Sequence, residues 1–335
     1  MGTTTEQPTA VGGPRIAVVI PCYKVRASID RVLARIGPTV HAVYCVDDAC
    51  PDGSGQHVEE TCQDPRVVVL RNEVNLGVGG ATLTGFQRAF ADGATVAVKI
   101  DGDGQMDPAL IDQFVAPIVA GRADYTKGNR FFHPSSVKSM PLKRVLGNGA
   151  LSFLTKLSTG YWDIFDPTNG YLAIHAQVFA QIKVDDLSER YFFESDLLYH
   201  LGILGAVVED IPMDAVYGDE QSHLRIGRAI PEFLFKNLRN ASRRLTYDYY
   251  LRSFSLASLE LPLGLLLLTF GSVFGVERWL ESLNSGTAVT AGTVMVAALP
   301  VILGMQFLLS FLAADMRQVP RPPLQQRMSQ REPPA

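Results

Sequence analysis

Lys99-Ile100-Asp101-Gly102-Asp103-Gly104-Gln105-Met106-Asp107-Pro108 follows the apolar, β-branched run Ala94-Thr95-Val96-Ala97-Val98. That run reads as a buried parallel strand, so Asp101 and Asp103 fall where a strand stops and the chain turns. Open α/β sheets hold their ligands at that edge. Gly102 separates the two carboxylates and has no side chain, so backbone and ligand can approach closely. Hard oxygen donors of this kind suit Mg2+ or Mn2+ bridging a diphosphate, the remaining positions being left to phosphate and water. A solvated Asp/Gly loop looks the same in isolation; the surrounding chain decides between them.

Working upstream, the same strand-then-turn pattern repeats. Arg15 opens a strand over 16–20, ended by Pro21-Cys22-Tyr23, and Ile29, Val32, Leu33 and Ile36 then recur at helical spacing up to Gly37-Pro38. A second strand over 42–46 runs into Asp47-Asp48 and the turn Pro51-Asp52-Gly53-Ser54-Gly55, and a third occupies 67–70. The glycine-rich stretch Asn75-Leu76-Gly77-Val78-Gly79-Gly80-Ala81 opens a helix through Phe90. It lacks the Gly-Lys-Ser/Thr of a phosphate-binding P-loop, and it precedes the third helix rather than following the first strand, so it is no dinucleotide fingerprint. Strands alternating with helices at this spacing predict a doubly wound, mostly parallel sheet. Tyr23, Asp47/Asp48 and Asp101/Asp103 then share one edge. A strand-end Asp pair taken alone reads as a cap or turn former, but the three ends together outline a nucleotide pocket.

The 335 residues carry a net charge of -4, with charged residues at 19% and a mean hydropathy above zero. That balance points to membrane segments rather than to nucleic acid. Cys22, Cys45, Cys50 and Cys62 lack zinc-type spacing and read as reduced thiols. Residues 1–14 are polar, without the apolar core of a signal peptide, and are expected to form a disordered tail. From 228 to 252 the chain reads as a juxtamembrane amphipathic helix, with Phe233, Leu234 and Leu238 on one side and Lys236, Arg239, Arg243 and Arg244 around the other. Two segments, about 253–276 and 287–314, are long and apolar enough for a bilayer core of ~30 Å. Arginines before the first and after the second predict a multi-pass hairpin in the cytoplasmic membrane, with the catalytic part and both termini cytoplasmic. Glu260 is the ionisable residue of the first segment, which makes it a candidate lipid-site group. Residues 315–335, rich in Pro, Gln and Arg, are expected to be disordered.

Ile20-Pro21-Cys22-Tyr23, Val46-Asp47-Asp48, Asn75-x-Gly77-x-Gly79-Gly80-Ala81 and Asp101-Gly102-Asp103-Gly104-Gln105 resemble the motifs of family 2 glycosyltransferases of the GT-A fold, in the branch of polyprenyl-phosphate (dolichyl-phosphate mannose synthase-like) sugar transferases. The resemblance continues through Gly128-Asn129-Arg130-Phe131, Asp166-Pro167-Thr168-Asn169-Gly170-Tyr171 and Phe192-Phe193-Glu194-Ser195-Asp196, and covers residues 15–227. It departs from the family at Tyr23-Lys24-Val25, where Tyr-Asn-Glu is usual, and at Asp47-Asp48-Ala49-Cys50, where Asp-Asp-x-Ser is usual.

The resemblance implies an inverting, metal-dependent transfer of a sugar from a nucleotide-sugar (UDP- or GDP-hexose) to a polyprenyl phosphate at the membrane surface. It implies that Pro21, Tyr23 and Asp48 hold the nucleoside, and that Asp101, Asp103 and Gln105 hold Mg2+ or Mn2+ and the ribose-diphosphate. Arg130, Lys138 and Lys143 would meet acceptor or donor phosphate. Ser222 and Arg225 would belong to a lid over the diphosphate, and Asp196 would be the family's catalytic carboxylate. The implied partners are the nucleotide-sugar, the polyprenyl phosphate and the lipid bilayer; self-association is left open. Two other readings use the same residues: transfer to a hydroxyl of a lipid-linked glycan, which needs Asp196 as a true base, and a non-catalytic membrane adaptor retaining the fold.

Overall fold

The structure, a computed structural model, describes residues 13–132, 142–214 and 226–330. Its centre is a seven-stranded sheet. The strands are β1 (Ile16–Cys22), β2 (Val40–Asp47), β3 (Val67–Arg71), β4 (Val96–Lys99), β5 (Tyr125–Asn129), β6 (Leu172–His175) and β7 (Val208–Pro212), in the order β3-β2-β1-β4-β6-β5-β7. β1 pairs in parallel with β2 and β4, and β5 with β7; β6 lies antiparallel between β4 and β5. The reversed strand brings its preceding loop, 163–170, to the same edge as the carboxyl ends of β4 and β5.

Alternation along the strands builds two cores. Ile16, Val18, Ile20 and Cys22 face one side, where α1 (Ile29–Leu33) and α4 (Ile111–Val119) cover them. Ala17 and Val19 face the other, with α3 (Gly77–Ala91) and α7 (Phe193–Leu204). A sheet buried on both faces needs apolar residues at every strand position, which is why these strands read as continuous runs. Between these elements lie α2 (Ser54–Thr61), α5 (Leu142–Thr159) and the short α6 (Ala176–Phe179).

The carboxyl-terminal third begins with α8 (Ile226–Thr246), passes through a π-helical turn (Tyr247–Arg252) and forms a hairpin of α9 (Leu256–Ser285) and α10 (Ala291–Met316). Both hairpin helices are long and apolar enough to cross a membrane, and only 17% and 11% of their apolar windows are buried. A core helix of a globular fold would be mostly covered. Gly264, Gly271 and Gly304 bring the two helices together, since a Cβ at Gly264 would lie 2.9 Å from Leu308 and one at Gly304 2.7 Å from the Leu268 backbone.

Two expectations are corrected here. The inner face of α8 is polar: Asn237, Asn240 and Arg244 are buried against the sheet domain, and Phe233 packs edge-on to Phe192. Leu234, Phe235 and Leu238 are exposed. Phe233 and Arg244 have therefore changed sides, because Phe192 of the domain offers an aromatic ring and Asp315 of α10 a buried carboxylate. Within the stretch 315–335, residues 315–330 are ordered. Asp315 is fully buried, and α11 (Leu324–Ser329) docks with the backbone N–H groups of Leu324 and Gln325 donating to Asp124 at 2.6 and 2.9 Å. Specific hydrogen bonds override a composition that reads as disordered.

Candidate active site

β4 ends at Lys99, whose ammonium is 1% exposed and lies 2.8 Å from Asp101 Oδ1 and 3.2 Å from Glu194 Oε1. Burial opposes its charge, but the two carboxylates prevail and its pKa is raised. Burial likewise raises the Glu194 carboxyl, and Lys99 counteracts this. Asp101 is about a third exposed at the open edge. Asp103 follows it there and accepts the Gln105 backbone N–H at 2.9 Å. Gly102 is buried against Val25 and Ile20, and its carbonyl accepts the Ser28 hydroxyl at 2.7 Å. Its lack of a side chain seats the loop on β1 rather than admitting a ligand. Gly170 from the loop before β6 closes on the same spot, and a Cβ there would collide with Lys99 Nζ and Asp101 Oδ2.

The opposite wall is Arg130, after β5. Its guanidinium forks onto Asp166, with Nε–Oδ2 and Nη2–Oδ1 both at 2.7 Å. Burial disfavours the Asp166 charge, yet Arg130 prevails and holds that carboxyl below the usual range. Lys127, one row back in the sheet, donates to the Phe165 carbonyl at 2.6 Å and pairs with Asp210, which in turn accepts the Phe165 N–H at 2.8 Å. Lys127 thus pins the loop at Phe165, and at its other end Gly170 packs against Lys99.

On the other flank, Tyr23 is exposed and Pro21 half-buried. Asp47 accepts the N–H groups of Cys50 and Gly55, both at 2.8 Å. Asp48, 2% exposed, takes Leu76 N, Gly77 N and Asn72 Nδ2 at 2.7–2.9 Å and anchors the glycine-rich turn. The two departures from the family pattern touch, because Lys24 N donates to Cys50 Sγ at 3.1 Å. Among the described residues, the non-glycine residues with positive φ are Lys24, Ala49 and Asp166, and all three lie on this edge. Strained backbone gathers at sites that over-determine it.

Asp196 is 2% exposed and enclosed by other partners. Its Oδ2 accepts Ser188 N and Oγ at 2.9 and 2.8 Å, and its Oδ1 accepts Asn240 Nδ2 of α8 at 2.9 Å. The carboxylate that reaches Asp101 through Lys99 is Glu194, two residues earlier. Glu260 is buried between the hairpin helices and accepts Ser310 Oγ at 2.8 Å. Lys138, Ser222 and Arg225 lie outside the described residues, as does the Lys143 side chain. Lys99, Glu194, Asp166 and Lys127 were missed as site residues. The signals that could have found them are a lysine closing an apolar strand and a glutamate inside an aromatic run.

Two carboxylates across one glycine, with no group of three potential ligands among the described residues, make a partial oxygen shell. Such a shell fits a hard divalent ion that shares its remaining positions with phosphate. A protein-only cage for a transition metal would need more.

Residues 17–183 match the family model "Glycosyl transferase family 2". The chain is 28% identical over 216 residues to a UDP-N-acetylglucosamine–dolichyl-phosphate N-acetylglucosaminyltransferase of Methanococcus voltae, covering 60% of this chain and 86% of that one. It is 29% identical over 228 residues to a polyprenol monophosphomannose synthase of Mycolicibacterium smegmatis, covering 66% and 85%. An undecaprenyl-phosphate mannosyltransferase of Micrococcus luteus is 29% identical over 206 residues, covering 60% and 84%. Among solved structures, the glucosyl-3-phosphoglycerate synthase of Mycobacterium tuberculosis, crystallised with Mn2+, UDP and phosphoglyceric acid, superposes with a TM-score of 0.53 at 18% identity, over 68% of this chain and 78% of that one.

Proposed function

We propose, for a chain that belongs to glycosyl transferase family 2, that it transfers a hexose from a nucleotide-sugar to a polyprenyl phosphate at a membrane surface, with inversion at the anomeric carbon. The observation that carries this reading is the site's position. Asp101, Asp103 and Arg130 follow strand ends on one edge of a domain whose α8 presents exposed Leu234, Phe235 and Leu238 and leads into two apolar helices. The relatives that use dolichyl, polyprenol or undecaprenyl phosphate support the acceptor class.

In this reading Pro21 and Tyr23 form the nucleoside wall, with Asp48 holding the glycine-rich turn behind it. Asp101, Asp103 and Gln105 receive the diphosphate together with Mg2+ or Mn2+, a cation that would offset the charge developing on the leaving group. Arg130, oriented by its bidentate pair with Asp166 and about a third exposed, would meet a phosphate oxygen as a charged donor. The acceptor phosphate, with a second pKa near ~6 as for phosphomonoesters, arrives largely ionised. Its oxygen attacks the anomeric carbon as the bond to the nucleoside diphosphate breaks, and no proton has to be removed. Asp196 then contributes position, tying the start of α7 to α8 through Asn240. The hairpin would span the cytoplasmic membrane with the site and both termini on the cytoplasmic side, as the flanking arginines suggest.

The test is to incubate membranes containing the protein with a panel of radiolabelled nucleotide-sugars and polyprenyl phosphate, then extract lipid. Label in an acid-labile polyprenyl-phosphate sugar is expected with one donor. Label only in a glycan built on a free hydroxyl would replace this acceptor, and no transfer with any donor would favour the adaptor reading.

A further inference from the structure

We propose that Glu194 is a positioning residue for the cation–diphosphate site, acting through Lys99 to keep the Asp101 carboxylate available to a divalent ion. The inference rests on the reading of Asp101 and Asp103 as the cation-holding pair. Lys99 Nζ is sealed from solvent and stands between two carboxylates, 2.8 Å from Asp101 Oδ1 and 3.2 Å from Glu194 Oε1. Glu194 is 8% exposed at its side chain. Its hydrogen-bond contact toward Asp101 is Lys99.

The physical argument concerns which carboxylate the ammonium satisfies. A buried cation beside a single carboxylate cancels it, and a divalent ion would meet a neutral pair. A second carboxylate on the far side shares the ammonium, so the buried triad keeps one net negative charge, and Asp101 is the member at the open edge. Lys99 also fixes Asp101 Oδ1 from behind, while Gly170, without a Cβ, leaves room beside Oδ2. Glu194 comes from α7 and Lys99 from β4, so the arrangement exists only where the helix start meets the strand end. Interactions between charges at these separations remain strong in a poorly screened interior.

The experiment titrates Mn2+ into the full-length protein in detergent with UDP, and in a parallel series with GDP, following free Mn2+ by electron paramagnetic resonance. Folding of each variant is checked by thermal melting. Glu194→Gln keeps the shape and can still accept a hydrogen bond from Lys99, yet it is expected to weaken Mn2+ binding by about tenfold or more. Adding Lys99→Met to that variant removes the cation that then neutralises Asp101, and binding should return to within about threefold of the parent. A purely structural role for Glu194 would not be repaired by losing its partner as well. Parental affinity in Glu194→Gln, or a double variant no better than the single one, overturns the proposal. If Glu194→Gln does not fold, the double variant decides alone, because replacing both members of a buried ion pair is commonly tolerated. Loss of Mn2+ binding beyond about tenfold there overturns it. Asp103→Asn separates the two levels. If it binds Mn2+ like the parent, the cation reading of the site fails, whatever Glu194 does.

Discussion

Two aspartates of the candidate site face different surroundings, and their substitutions should behave differently. Asp103 stands half-buried at the open edge of the sheet, where its Oδ1 accepts the Gln105 backbone N–H, a bond that an amide oxygen can keep. Asp103→Asn should therefore leave melting unchanged and reduce sugar transfer to background with either Mg2+ or Mn2+. Transfer at the parental rate would remove Asp103 from the cation site. Asp196 is enclosed by Ser188 and Asn240. Loss of a general base costs typically ~10²–10⁴-fold, and loss of an orienting contact should cost less. For Asp196→Asn we expect a partial loss, with a pH–rate profile that still rises through the acceptor's second pKa near ~6. Initial rates against pH, with saturating donor and a short-chain polyprenyl phosphate, measure this. Collapse to background, with a free-hydroxyl lipid accepted by the parent, would assign hydroxyl chemistry.

At the scale of elements, the glycine-rich opening of α3 works by contact. Gly80 N donates to Glu189 O at 2.9 Å, and a Cβ at Gly79 would stand 2.7 Å from the carbonyls of Ser188 and Glu189 and from Phe193 Cβ. Gly79→Ala should push α3 off the start of α7 and cost about 1–3 kcal/mol in denaturant unfolding, as overpacking does. An unchanged midpoint would show that the loop can retreat. Two histidines set an acid limit. Burial lowers the pKa of His175, at the start of α6, and of His200 in α7 below the ordinary 6.5. A depressed folded-state pKa means that their contribution is complete above the unfolded value and is lost as pH falls below it, because the unfolded chain binds the protons first. Melting temperature should therefore fall as pH drops below 6.5. The decline should be shallower in His200→Gln.

For the whole molecule, one carboxylate joins the apolar hairpin to the sheet domain. Asp315, at the end of α10, accepts Trp162 Nε1, two Arg244 guanidinium nitrogens and the Tyr249 hydroxyl, all at 2.8–2.9 Å. Arg244 also bonds the Leu157 carbonyl of α5. Asp315→Ala removes the nearer carboxylate of the buried Arg244 and leaves it Asp248 at 3.6 Å; breaking one side of a buried pair costs about 3–5 kcal/mol where it has been measured. We expect a large drop in melting temperature, and a greater loss of transfer to long-chain than to short-chain polyprenyl phosphate. Equal losses on the two acceptors would mean that the latch serves stability alone.

The local content was legible in the chain itself. Buried strands announce themselves as apolar runs, strand ends as Asp-Asp and Asp-Gly-Asp, and the hairpin as two long apolar segments, because strand burial, turn chemistry and bilayer thickness act on consecutive residues. The edge gathering Tyr23, Asp47/Asp48 and Asp101/Asp103 followed from parallel topology, and Arg130 from the family resemblance. Contacts between distant residues were not legible. Whether Asp196 or Glu194 stands behind Asp101 depends on how α7 meets β4, two residues being over half a helical turn. The polar inner face of α8 depends on the carboxylates of Asp196 and Asp315, from elements 44 and 71 residues away. The ordering of the last residues depends on Asp124, about two hundred positions earlier. Periodicity and motif spacing carry information over a few turns of chain, whereas a buried charge is placed by whichever partner the completed fold brings within hydrogen-bonding reach.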